Sequence, residues 1–282
     1  DGSRWVTFGG DYNNHRHSPL TQIIPENVDQ LVPQWTFQTN VLEKFETTTL
    51  FRDNVLYVTG PLNTAWALDA RSGRPFWEYR RELPEFLTAC CGLVNRGFAM
   101  MGDKLYMVTL DAHLLAFDSA TGRIVWDATM ADYTQGYAAT IAPLAVNDKI
   151  VVGVAGGEYG IRGYIDAYDA ETGQLHNRRE AFSTDERVPG VPDGMAIDKE
   201  GHLWIAFCHG GCVVCFDQEG KELERLILPC REVTAPAFGG EGLGDLYLTT
   251  GQPHEEIEEE AGRLFVFPAV GARGLPVSAF AG

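Results

Sequence analysis

Ala67-Leu68-Asp69-Ala70-Arg71-Ser72-Gly73-Arg74-Pro75-Phe76-Trp77 is the stretch from which the fold can be read, because the chain writes it again. Ala116-Phe117-Asp118 runs through Gly122 to Trp126, and Ala167-Tyr168-Asp169 runs through Gly173 to Gln174. The three aspartates stand 49 and then 51 residues apart. A degenerate fourth copy, Cys215-Phe216-Asp217-Gln218-Glu219-Gly220, follows 48 residues beyond Asp169, its turn shortened by one residue. In each copy the aspartate caps a turn through its own backbone, and the glycine takes the positive φ. A period of about fifty residues marks a series of like units, each burying its apolar face on the next.

Outward from these turns lie short runs rich in branched and aromatic residues, which read as β-strands. They include Asn54-Val55-Leu56-Tyr57-Val58, Lys104-Leu105-Tyr106-Met107-Val108, Lys149-Ile150-Val151-Val152-Gly153 and His202-Leu203-Trp204-Ile205-Ala206. Each unit is then strand, hairpin, strand, Asp turn, strand, the four-stranded blade of a β-propeller. A fifth unit runs from Val233 through Leu246-Tyr247-Leu248-Thr249 to Leu264-Phe265-Val266-Phe267. The expectation is an all-β, single-domain propeller of five four-stranded blades over residues 1–282, with six blades or closure through a dimer as alternatives. Trp35-Thr36-Phe37-Gln38 reads as a further strand, and it or Ser278-Ala279-Phe280 is available for closing the ring. No helix longer than a turn or two is expected.

With 282 residues, 45% hydrophobic and 22% charged, the chain can bury a sizeable core. No apolar run reaches the length of about eighteen residues that a membrane helix needs, so no membrane partner is expected. Asp1-Gly2-Ser3 lacks the pattern of a secretory leader, which was either removed or never present. The formal charge of −17 repels phosphate backbones and argues against nucleic acid. The acidic run from His254 to Glu260 reads as a solvated loop. Self-association through exposed outer strands stays open.

From Trp5 to about Gln174 the chain resembles pyrroloquinoline-quinone (PQQ)-dependent alcohol dehydrogenases. The residues that carry this are Phe8-Gly9-Gly10-Asp11-Tyr12, Trp35-Thr36-Phe37-Gln38-Thr39, Cys90-Cys91-Gly92-Leu93-Val94-Asn95-Arg96-Gly97 and Gly156-Gly157-Glu158-Tyr159-Gly160-Ile161-Arg162-Gly163-Tyr164. From about Leu175 onward it resembles the regucalcin and gluconolactonase family, through Val191-Pro192-Asp193-Gly194-Met195, Gly201-His202-Leu203-Trp204, Ala237-Phe238-Gly239-Gly240 and Phe280-Ala281-Gly282. Trp77 and Trp126 end the first two repeats, whereas the third has Asn177 at the matching place. In the first family such tryptophans dock neighbouring blades. The reading is an engineered or recombinant chimera, quinoprotein-like over 1–174 and gluconolactonase-like over 175–282, with no complete parental active site.

The first resemblance implies a quinone held by charge and backbone contacts, with a calcium ion as Lewis acid. Glu46, Cys90, Cys91, Arg96 and Thr140 match quinone contacts, Gly156 and Gly157 match the backbone that cradles it, and Glu158 matches a calcium carboxylate. Ala155 departs from the serine common there. The family's stacking tryptophan, calcium asparagine and catalytic aspartate come from later blades without counterparts here, so no catalytic residue is named and retention of PQQ is not expected. Residual alcohol oxidation is the first alternative. The second resemblance implies a divalent metal at the channel mouth, of whose ligands Asp193 alone has a match. Lactone hydrolysis, the second alternative, would need ligands lent by Glu46 or Glu158. Quinoproteins are periplasmic and the lactonase relatives mostly cytosolic, which leaves localisation open.

Cys208, Cys212, Cys215 and Cys230 fit neither pattern. A hairpin around His209-Gly210-Gly211 would set Cys208 opposite Cys212 and return Cys230 to the same end. Cys208, His209, Cys212 and Cys230, with Asp193, would then suit zinc. The plainer alternatives are buried thiols packed as small apolar side chains and a Cys208–Cys212 bridge.

Overall fold

The computed structural model describes residues 4–12, 14–89, 92–176, 178, 182–184, 187–253 and 257–275. Its contacts divide the chain into two compact units, Asp1–Arg178 and Arg179–Gly282. Among the described residues every sheet is antiparallel, helical structure is limited to single 3-10 turns, and no helix is long and apolar enough to cross a membrane.

In the first unit, β1 (Leu50–Arg52), β2 (Val55–Gly60), β3 (Thr64–Asp69) and β4 (Pro75–Arg80) form a four-stranded meander. β5 (Ala99–Met101), β6 (Lys104–Val108), β7 (His113–Asp118) and β8 (Ile124–Thr129) form a second, and β9 (Leu144–Val146), β10 (Lys149–Gly153) and β11 (Ile165–Asp169) a third. In the second unit β12 (Val191–Ile197), β13 (Leu203–Cys208), β14 (Cys212–Phe216) and β15 (Glu222–Ile227) form a four-stranded sheet, and β16 (Val233–Gly239), β17 (Asp245–Thr250) and β18 (Leu264–Phe267) a three-stranded one. The all-β propeller class stands.

Among the described residues, two of the five expected sheets have three strands instead of four. After β11 the described residues carry one bridge, Tyr168 to Leu175, where the sequence lacks the Phe-Trp or Val-Trp pair of the first two repeats. After β18 the chain leaves its sheet. Gly274 bridges to Asp198, and a side chain at Gly274 would strike Phe238 at 2.3 Å. Trp35–Gln38, expected as a strand, is irregular. Its pattern encodes packing instead: the Trp35 indole lies on Gly73 and donates to the Ala70 carbonyl at 3.1 Å. Ser278-Ala279-Phe280 lies outside the described residues, as do Asn177 and His254–Glu256.

The repeated turn has the chemistry read from sequence. Asp69 Oδ1 accepts the Arg71 N–H at 2.8 Å, Asp118 Oδ1 accepts Thr121 N–H at 2.8 Å, and Asp169 Oδ1 accepts Glu171 and Thr172 N–H groups at 3.1 and 3.0 Å. Gly73, Gly122 and Gly173 sit at φ of +71°, +70° and +68° and return their N–H to the aspartate carbonyl. Each glycine carries an indole from the preceding repeat. Trp77 lies on Gly122 and donates to the Ser119 carbonyl at 3.0 Å; Trp126 lies on Gly173 and donates to Ala170 at 3.2 Å. A β-carbon at Gly122 would stand 2.6 Å from the Trp77 ring, so the turn glycine serves both backbone and socket. Around these contacts Leu50, Phe98, Leu105, Met107, Leu115 and Phe117 form one buried cluster, and Tyr106, Leu114, Ile150 and Val152 belong to another.

Candidate functional site

Three chain segments that lead into β1, β5 and β9 are stitched together at one end of their sheets. Thr48 N–H donates to the Arg96 carbonyl and Arg96 N–H to the Thr140 carbonyl, both at 3.0 Å. Gly97, at φ +138°, has Thr48 O only 2.9 Å from where a β-carbon would sit, so the parallel bridge between Thr48 and Gly97 requires glycine. Asn95, buried, fixes the next step: its Oδ1 accepts the Gly97 N–H and its Nδ2 donates to the Val108 carbonyl.

This backbone ladder places Glu46, Arg96 and Thr140 in one polar row. Arg96 Nη2 pairs with Glu46 Oε2 at 2.9 Å, and its Nη1 donates to Thr140 Oγ1. Lys44 closes the other side of Glu46, a partner that the sequence reading did not name although it lies two residues away. The Lys44 hydrogen bond, ahead of the field of Arg96, holds the Glu46 carboxyl below the usual range. Both Glu46 and Arg96 stay partly open to solvent. The row is a carboxylate, a guanidinium and a hydroxyl on one wall, able to orient an anionic, planar ligand through charge-assisted bonds.

The glycine turn follows β10, in the same sheet that the Thr140 segment leads into. Ala155 and Ala138 exchange both backbone hydrogen bonds, which leaves the serine-to-alanine departure at position 155 without a lost backbone contact. Gly156 takes φ +125°, and a β-carbon there would overlap the Gly136 carbonyl at 2.1 Å. Nothing stands within 4 Å of a β-carbon at Gly157, which leaves backbone open to a ligand. Glu158 follows in a 3-10 turn, Gly157–Tyr159, and is exposed. Cys90 and Cys91 lie outside the described residues. As a test of the quinone, the row offers donors and the open glycine offers exposed backbone of the kind one wall around an anionic disc requires.

In the second unit Asp193 sits at a break in the register between β12 and β13, between Pro192 and Met195, where a bulge re-aims side chains. Loss of hydration raises its carboxyl above the usual range. The thiols do not gather as the zinc reading required. Cys212 pairs across the hairpin with Phe207, and Cys208 pairs with Val191. One residue of offset sends Cys212 to the opposite face, among Val188, Ile205, Phe207 and Phe216. Cys215 and Cys230 pack with Trp204, Val233 and Leu246 instead. All four thiols are free, so the Cys208–Cys212 bridge is absent as well. Burial pushes every one up, Cys215 to about 12.

Two other groups of potential ligands do form. Asp198, His202 and Cys215 approach one another, but Asp198 already accepts Trp204 Nε1 at 3.1 Å and backbone N–H groups of Glu200 and His202, and it shares a 3.1 Å contact with His202 Nδ1. It serves as a turn lock. The second group, Cys208, His209 and Glu232, includes a carboxylate that sequence reasoning missed.

Sheets of this meander type and the polar row at their ends define a propeller of the quinoprotein kind. The chain belongs to the glucose/ethanol/alcohol dehydrogenase β-propeller family, whose pattern matches residues 5–204. A second pattern, the SMP-30/gluconolactonase/LRE-like region, matches residues 162–252. Quinohemoprotein alcohol dehydrogenase ADH-IIG of Pseudomonas putida is 39% identical over 204 residues, covering 71% of this chain and 28% of that protein. Methanol dehydrogenase [cytochrome c] subunit 1 of Paracoccus denitrificans is 38% identical over 198 residues, 67% of this chain and 31% of its own length. The chain thus spans less than a third of each of these relatives. The solved structure of ADHIIG from Pseudomonas putida HK5 superposes with a TM-score of 0.69 at 27% identity, over 95% of this chain and 48% of that one. A europium-containing methanol dehydrogenase, at 24% identity and TM-score 0.67 over 95% of this chain and 58% of its own, shares the fold.

Proposed function

We propose that this chain supplies one wall of a quinone site and does not oxidise alcohol by itself. The observation that carries the reading is the row Glu46–Arg96–Thr140, held by three backbone-linked segments. Arg96 and Thr140 would hold the quinone's acidic and carbonyl oxygens with Glu46 steadying the guanidinium, the open backbone at Gly157 would lie along it, and Glu158 would offer oxygens to a hard cation. Bound quinone, polarised by such a cation, supplies hydride-accepting chemistry. Taking the proton from an alcohol would fall to a base supplied from elsewhere.

The test is a titration of PQQ with calcium, read by quenching of tryptophan fluorescence and by ethanol-dependent dye reduction. Saturable quenching that Arg96→Met weakens at least about tenfold, without dye reduction above free quinone, is the expected result. No saturable binding, or turnover of ethanol, would overturn it.

A second element of the proposal is that two propeller lineages meet in this chain, since the quinoprotein match over residues 5–204 overlaps the gluconolactonase match over 162–252. A lactonase reading of the second part rests on Asp193, and gluconolactone turnover with calcium or zinc, lost in Asp193→Asn, is its measurement.

A further inference from the structure

At the tip of the β13–β14 hairpin, one thiol, one imidazole and one carboxylate converge from two sheets of the second unit. Cys208 ends β13, His209 begins the tip, and Glu232 directly precedes β16. Their ligand atoms all lie within 4.8 Å of one another. His209 Nδ1 stands 3.6 Å from Glu232 Oε1. That is too long for a hydrogen bond. It is the separation expected of two ligands on one tetrahedral ion, since bonds of about 2.0–2.3 Å at tetrahedral angles hold donor atoms roughly 3.3–3.8 Å apart.

The scaffold keeps these groups in place without the ion. His209 occupies the left-handed region at φ +62°, which histidine enters more readily than most residues and which fixes the backbone at the hairpin tip. Gly190, at φ +84°, presses against the tip so closely that a β-carbon would lie 2.2 Å from the Cys208 carbonyl and 2.5 Å from Gly210 N. Gly210 in turn meets the Pro189 carbonyl, and Glu232 is anchored by its own carbonyl, which accepts Gly251 N–H at 2.8 Å.

The geometry points to a zinc-type metal site formed by Cys208 Sγ, His209 and Glu232, with a fourth position open to water. Mixed sulfur, nitrogen and oxygen donors select a borderline-soft ion over calcium. The site is independent of the quinone wall and replaces Cys212 and Cys230 of the sequence reading by a carboxylate.

Cobalt(II) is the probe, added to the purified, metal-stripped full chain and followed by the near-ultraviolet thiolate-to-cobalt band, with zinc competition. One equivalent that gives the band, is displaced by zinc and disappears in Cys208→Ser is expected. His209→Ala and Glu232→Gln should each weaken binding by at least the ~10–100-fold that loss of a mere supporting contact costs. Cys212→Ser should leave the band intact. Absence of the band in a folded protein, its survival in Cys208→Ser, or its loss in a Cys212→Ser protein that remains folded by circular dichroism would overturn the assignment.

Discussion

Trp77 in the first unit and Phe182 in the second rest on the same feature, the positive-φ glycine that closes an aspartate turn. A β-carbon on Gly122 would stand 2.6 Å from the Trp77 ring, and one on Gly220 would stand 2.3 Å from Phe182 Cβ. The indole also satisfies a carbonyl, Ser119 O, which a phenyl ring cannot do. In the second unit Arg187 Nη1 bonds a different carbonyl of the turn, that of Gly220 itself, at 2.6 Å, while its guanidinium lies 5.7 Å from the Phe216 ring centre. One socket therefore accepts two solutions, a single side chain with ring and donor, or a ring and a donor from separate residues. Within each unit the turn glycine thus carries an aromatic ring, even though the residues that supply it differ.

The largest expected effect breaks the first solution outright. Trp77 stacks on Phe117 with ring centres 6.4 Å apart, and also meets Tyr57 and Phe98. Trp77→Ala should cost about 3–4 kcal/mol in urea unfolding followed by far-ultraviolet circular dichroism. Phe182→Ala, which removes the smaller ring over Phe216, should cost about 2–3 kcal/mol. Equal losses would show that the indole adds nothing to the socket.

Sharper tests separate ring from donor. Trp77→Phe copies the second unit's ring without its arginine and should lose about 1 kcal/mol, one hydrogen bond. Arg187→Met should remove the bond to the Gly220 carbonyl in the second unit and lose a similar amount; a neutral result in both would assign the energy to ring contact alone.

The smallest effect concerns acid. Hydrogen bonds to the turn carboxylates, from the Arg71 backbone to Asp69 and from the Thr121 hydroxyl to Asp118, hold those groups below the usual range, and Lys149 draws Asp169 down to about 2. A carboxylate lowered on folding adds stability that is complete above its unfolded value of about 3.9 and fades as pH falls towards the folded one. Asp193 in the second unit is raised, so its contribution runs the other way and folding is relieved as it protonates. Between about pH 5 and 2, hydrogen exchange should accelerate first at amides beside the three turns of the first unit. Simultaneous loss of protection beside Asp193 would remove this distinction.

The Asp-turn period was legible because its causes are local: one side chain bonds backbone a few residues ahead, and one glycine takes a conformation others avoid. Trp35 misled for a related reason. An aromatic next to Thr and Phe reads as a strand, yet its indole spans 35 residues to Ala70, and local pattern carries no mark of that. Glu46, Arg96 and Thr140 could be named through resemblance, while their linkage required the Thr48–Arg96–Thr140 backbone ladder. The hairpin thiols were harder. A shift of one residue decides which face of a strand a side chain occupies, and the pairing of Cys212 with Phe207 set that shift.

By itself the sequence determined an all-β, repeating architecture, the chemistry of its turns and the family of its first part, since periodicity, turn residues and motifs act over short separations. Tertiary structure decided which side chains meet. Glu232 reached Cys208 and His209, Arg187 reached the Gly220 carbonyl, and among the described residues Gly274 bridged to Asp198 away from its own sheet, all through register and close backbone approach between segments distant in the chain.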